Sequence, residues 1–118
     1  MSARILVVED EMSIALMIED MLTDLGYEVA GLALRLPQAM ESARLERIDL
    51  AILDINLDGR ASYPVAELLE KRGVPVIFAS GYGSAGLDPA YSDHITLTKP
   101  FMQADLRQAI DKALAAGV

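Results

Sequence analysis

Residues 49–59, Asp-Leu-Ala-Ile-Leu-Asp-Ile-Asn-Leu-Asp-Gly, constrain the fold more than any other stretch. Leu50 to Leu53 form a short apolar run, entered at Asp49, stopped at Asp54 and followed by a turn residue, Gly59. That is the pattern of a buried strand. Apolar strands alternating with helices imply a parallel sheet covered on both faces. In open sheets of this kind, chemistry collects in the crevice outside the carboxyl ends of the strands. Asp54 stands at such an end, and a carboxylate there needs hydrogen bonds, a cation or water, because burying it alone is costly.

The remaining chain supplies the alternation. Residues 4–8 (Arg-Ile-Leu-Val-Val) are a β-branched run that stops at Glu9, Asp10 and Glu11. Ile14, Ile18, Met21 and Leu25 then recur at helical spacing, and Gly26 falls where a left-handed helix-ending residue is needed. Residues 27–32 can form a second strand. Pro37 suits the first turn of a second helix, with Leu36, Met40 and Ala43 on its apolar side. After the third strand, Pro64 opens a helix carrying Val65, Leu68 and Leu69, closed by Gly73. Residues 74–79 are the fourth strand, with Pro75, which lacks an amide donor, at its entry. Residues 95–98 are a short fifth strand. Leu106, Ile110, Ala113 and Leu114 mark a last helix ending before Gly117. Residues 81–94 break the pattern: Gly81, Gly83, Gly86 and Pro89 lie where a fourth helix is due, and both residue types oppose helix. The spacing predicts a loop or a frail helix there.

At 118 residues the expectation is one domain, residues 1–118. A net charge of −8 argues against direct nucleic-acid binding, since a phosphate backbone wants a basic face. There is no cysteine, so disulfide and thiol chemistry are excluded. No signal-peptide pattern or membrane-length apolar stretch is visible. These features predict a cytoplasmic monomer or weak dimer.

Glu9 and Asp10 close the first strand and Asp54 the third, strands that a doubly wound sheet makes neighbours. Three carboxylates that close repel unless a cation joins them, and a hard, oxygen-liganded ion such as Mg²⁺ suits them. Ser80 ends the fourth strand and Lys99 follows the fifth. Taken singly, each has a plainer reading: a turn aspartate, acidic residues at a helix start, a turn serine, a solvated lysine. Taken together, acids, hydroxyl and amine at four strand ends suit a phosphoryl group. Metal and lysine neutralise its oxygens, the hydroxyl donates, and Asp54 attacks.

Four motifs carry a resemblance along the whole chain: Ile-Leu-Val-Val-Glu-Asp-Glu (5–11), Leu-Asp-Ile-Asn-Leu-Asp-Gly (53–59), Pro-Val-Ile-Phe-Ala-Ser-Gly-Tyr (75–82) and Leu-Thr-Lys-Pro-Phe (97–101). Jointly they resemble the CheY-like receiver domain of two-component response regulators. The resemblance implies a flavodoxin-like, five-stranded parallel sheet of order 2-1-3-4-5 with a weak or missing fourth helix. It implies that Asp54 is the phosphoacceptor, with Ser80 the conserved hydroxyl and Lys99 the conserved lysine before a cis proline. Asp10 would bind Mg²⁺ directly, Glu9 through water, and the Asn56 carbonyl would be a further ligand. Partners would be a sensor histidine kinase or histidine phosphotransfer protein.

Two departures stand out. The acidic pair is Glu-Asp instead of the commoner Asp-Asp. The family's switch aromatic, three residues before the lysine, is replaced by Thr96, while Phe-Ala-Ser-Gly-Tyr-Gly (78–83) is similar to the FAT-GUY subgroup, which places an aromatic after the hydroxyl, here Tyr82. The expected function is a single-domain response regulator, not an enzyme acting on external substrates, that signals through protein contacts or serves as a phosphate sink. Two alternatives compete. A haloacid-dehalogenase-type phosphatase would need a second aspartate where Asn56 stands, and a degenerate receiver would not need the intact Asp10, Asp54 and Lys99. Crowding of the acids also predicts that Asp10→Asn stabilises the metal-free domain.

Overall fold

A computed structural model describes residues 3–81 and 86–116. The strands are β1 (Arg4–Val8), β2 (Glu28–Ala33), β3 (Leu50–Asp54), β4 (Asn56–Leu57), β5 (Arg60–Ala61), β6 (Val76–Ser80) and β7 (Thr96–Thr98). The helices are α1 (Met12–Asp24), α2 (Leu36–Leu45), α3 (Tyr63–Lys71) and α4 (Gln103–Ala116). Five strands form one parallel sheet in the order β2-β1-β3-β6-β7, which is the expected 2-1-3-4-5 arrangement.

Alternation along each strand divides the core in two. Leu6, Val8, Leu53 and Phe78 face α2 and α3, meeting Ala39, Ala43, Val65 and Leu69. Ile5, Val7, Ile52 and Ile77 face α1 and α4, meeting Ile18, Leu22, Leu106 and Ile110. Strand β6 begins at Val76, later than the apolar run suggests. Pro75 cannot donate to the ladder, but its carbonyl accepts the Ala51 amide at 3.1 Å, which fits its place at the strand entry. Gly26, just past α1, takes φ 90°, the left-handed conformation expected of it.

Two features are new. The turn after Asp54 is a hairpin, with Leu57 paired to Arg60 across the two-residue loop Asp58-Gly59. Both loop residues have positive φ (53° and 86°), as a type I′ turn requires, and Asp-Gly is among the sequences that favour it. Asn56 steadies the loop by accepting the Gly59 amide on Oδ1 at 2.8 Å.

The second lies between β6 and β7. Tyr82 and Gly83 fall outside the described residues, so the expected aromatic after Ser80 has no structural description. Within residues 87–94 the regular element is a 3₁₀ turn, Pro89–Tyr91, capped by Asp88 accepting the Ala90 amide at 2.9 Å. No α-helix forms in residues 86–94, as the glycine and proline content predicts. Aromatic packing anchors the segment instead. Tyr91 stacks on Tyr63 with centroids 4.8 Å apart and meets the edge of buried Phe78 at 5.5 Å. The Tyr63 hydroxyl accepts the Asp88 amide at 2.7 Å, and His94 Nε2 lies 2.9 Å from Glu70 Oε2.

Candidate functional site

The sheet brings four strand ends to one edge. Glu9 and Asp10 follow β1, Asp54 ends β3, Ser80 ends β6 and Lys99 follows β7. Because β1 and β3 are hydrogen-bonded neighbours, one oxygen from each of Glu9, Asp10 and Asp54 lies within 4.8 Å of the others. Lys99 reaches in from the far strand: its Nζ is 2.6 Å from Glu9 Oε1 and 3.3 Å from Asp54 Oδ2. The Lys99 amide donates to the Ser80 carbonyl at 2.8 Å, and the Lys99–Pro100 bond is cis. A cleft of about 260 Å³ opens against Asp54, Ile55, Asn56, Ser80, Gly81 and Gly86.

The electrostatics sort the acids. Burial raises the Asp54 carboxyl to about 7, the Glu9 charge adds to the rise, and Lys99 opposes it. Burial would also raise Asp10, but the Asp58 amide donating to its Oδ2 at 2.9 Å, with hydrogen bonding shared with the Glu9 and Asp54 carboxyl groups, leaves it below its ordinary value. Burial pulls the Lys99 ammonium down, yet the Glu9 hydrogen bond and the Asp54 and Glu9 charges outweigh it, and Lys99 ends above its ordinary value. The cluster therefore sets three carboxyl groups against one ammonium. Its donors are hard oxygens, with Asp10 and Asp54 at the partly open side, which fits a divalent ion that keeps several waters.

Thr96, at the position of the missing switch aromatic, is half-buried on β7, and its hydroxyl donates to the His94 carbonyl at 3.4 Å. It is engaged locally, away from the acids. Two contributors escape sequence reasoning. Asp58 supports Asp10 through its backbone amide, a role for which the Asp-Gly pair was the available signal. Arg35, where β2 gives way to α2, lies 3.4 Å from the Asp10 carbonyl and 3.7 Å from Asp58 Oδ2. Nothing in its sequence context marks it, since the contacts depend on β2 lying beside β1.

The family model of the response regulator receiver domain matches residues 5–111. The solution structure of SdrG from Sphingomonas melonis Fr1 superposes with a TM-score of 0.81 at 39% identity, covering 98% of this chain and 96% of that one. The receiver domain of the PhyR response regulator from Erythrobacter litoralis gives a TM-score of 0.85 at 34% identity, covering 97% and 91%. The transcriptional regulatory protein PdtaR of Mycobacterium tuberculosis is 33% identical over 116 residues, which are 95% of this chain and 57% of PdtaR. The chain belongs to the response regulator receiver domain family, the receiving component of two-component signalling. It spans about half the length of the curated relatives it matches.

Proposed function

We propose that Asp54 accepts a phosphoryl group from the phosphohistidine of a sensor histidine kinase or histidine phosphotransfer protein. The observation that supports this most is the convergence of three carboxylates on one point, with Lys99 Nζ 3.3 Å from Asp54 Oδ2. An Asp54 oxygen forms the new bond to phosphorus as the bond to the donor imidazole breaks, and the electron pair leaves with the nitrogen. Lys99 neutralises one phosphoryl oxygen and the Ser80 hydroxyl donates to another. Asp10, Asp54 and the Asn56 carbonyl would hold Mg²⁺, with Glu9 acting through water; when bound, the ion neutralises charge on the carboxylates and the phosphoryl group. The reaction is the chain's own modification, with no turnover of an external substrate.

The surface beside the site supports a protein donor. Met12, Leu16 and Met17 on α1 are exposed, and Ile14, Met17, Lys99, Pro100 and Phe101 line an apolar groove of about 260 Å³. Flexible methionines suit a docking face that must adapt to a partner. On this reading the protein works in the cytoplasm, among histidine-phosphorylated donors. Its output passes through protein contacts or phosphate storage, because a net charge of −8 opposes direct binding to nucleic acid.

The test compares a phosphorylated histidine phosphotransfer protein with a small acyl-phosphate donor. Met17→Glu should slow transfer from the protein donor several-fold while leaving modification by acetyl phosphate unchanged. Equal rates from the protein donor for variant and wild type would remove the docking role of α1.

A further inference from the structure

Two stretches of chain line the cleft against Asp54: residues 54–56, and Ser80 and Gly81 with Gly86. Residues 86–94 hold no α-helix, so Gly86 needs some other support. Tyr63 ties the two stretches together. It opens α3 directly after Ser62, which is fully buried and whose amide donates to the Ile55 carbonyl at 2.8 Å. From that fixed base the Tyr63 hydroxyl accepts the Asp88 amide at 2.7 Å, two residues beyond Gly86. The ring is itself held in place. Tyr91 stacks on it with centroids 4.8 Å apart and planes 11° from parallel, and Phe78 meets it edge-on at 5.8 Å. Leu87, between Gly86 and Asp88, packs against the same core.

We propose that Tyr63 is a positioning residue for the cleft. Through Asp88 its hydroxyl holds Gly86 in place across from residues 54–56 and so limits the approach of water to phosphorylated Asp54. The proposal rests on Asp54 being the phosphoacceptor. An aspartyl phosphate decays when a water oxygen bonds to phosphorus and the bond to the Asp54 oxygen breaks. The electron pair stays with the carboxylate, inorganic phosphate leaves and a proton passes to solvent. The rate depends on how often water reaches phosphorus in line with the breaking bond. Loosening the Gly86 side raises that frequency while leaving Asp10 and Lys99 where they are.

Tyr63→Phe tests this in the full chain, since it keeps the ring and removes the hydroxyl. The chain is phosphorylated with acetyl phosphate and Mg²⁺, freed of donor, and its decay followed by intact mass. Losing one hydrogen bond shifts the balance of held and loosened positions, so decay should quicken by about two- to tenfold. The Asp88 amide should exchange faster, while Mg²⁺ affinity and the phosphorylation rate at saturating donor stay at wild type. A merely structural role would move those two quantities as well. Asp88→Pro removes the donor from the other side, because Asp88 has φ −60°, which proline shares. Asp88→Ala, which loses only the cap on Ala90, is its reference. Asp88→Pro should decay faster than Asp88→Ala by the same factor that separates Tyr63→Phe from wild type.

Decay of Tyr63→Phe at the wild-type rate overturns the proposal, whatever the Asp88 amide does. So does an equal acceleration in Tyr91→Phe, which removes the other hydroxyl of the stacked pair. A wild-type chain that takes up no phosphate is a separate result: it refutes the Asp54 reading, and the proposal with it.

Discussion

Asp54 and Asp10 sit a few ångströms apart, yet folding treats their charges in opposite ways. Burial and the Glu9 charge raise Asp54 from 3.8 to about 7, whereas the Asp58 amide and neighbouring hydrogen bonds keep Asp10 low. The raised group binds its proton more tightly in the folded chain than in the unfolded one. Its stabilising contribution is therefore complete below about pH 4 and is lost as pH rises through about 7. In melts with a chelator present, Asp54→Asn should flatten that decline and stabilise the metal-free domain above pH 7 by about 0.5–2 kcal/mol. Parallel pH profiles for the two proteins would contradict the assignment. The crowding argument from sequence named Asp10 as the acid whose neutralisation stabilises. With Asp10 favoured as the anion, Asp10→Asn should give no stabilisation in the same melts and should weaken Mg²⁺ binding.

The β4–β5 hairpin and residues 86–94 show what sequence patterns reveal about elements and what they leave out. Gly59 was legible as a turn, but two-residue strands are too short for any periodicity to announce them. The left-handed backbone at Gly59 (φ 86°) costs an L residue about 1–2 kcal/mol, so Gly59→Ala should lower stability in urea by about that amount. It should also weaken Mg²⁺ binding, because the neighbouring Asp58 amide holds Asp10. That residues 86–94 hold no α-helix was legible from glycine and proline content. Its replacement was not, because Tyr63, Phe78 and Tyr91 meet only through the tertiary fold. Backbone bonds within residues 86–94 are short-range, with Tyr91, Ser92 and His94 amides donating to Asp88, Pro89 and Tyr91. Hydrogen exchange should find these amides less protected than those of α1. Tyr91→Ala should lower protection further, losing aromatic contacts worth about 0.5–1.5 kcal/mol each. Protection equal to α1 in the wild-type protein would show a more stable segment than this packing supports.

For the molecule as a whole, sheet and site were legible for one reason. Each apolar run stops at a chemically distinctive residue, and a parallel sheet delivers all those ends to one edge. Glu9, Asp10, Asp54, Ser80 and Lys99 could therefore be grouped before any coordinates. Their pairing could not be read in the same way. That Lys99 lies nearer Glu9 than Asp54 depends on sheet width and side-chain length, which no local pattern encodes. The same edge carries the apolar groove of Ile14, Met17, Pro100 and Phe101 beside Lys99, so a donor docking there would meet the acids directly. The central claim is that this edge makes Asp54 a phosphoacceptor. Intact-mass measurement after treatment with acetyl phosphate and Mg²⁺ tests it most directly. The account predicts a single added phosphate in wild type, none when the metal is chelated and none in Asp54→Asn; an Asp54→Asn chain modified as fully as wild type would contradict it.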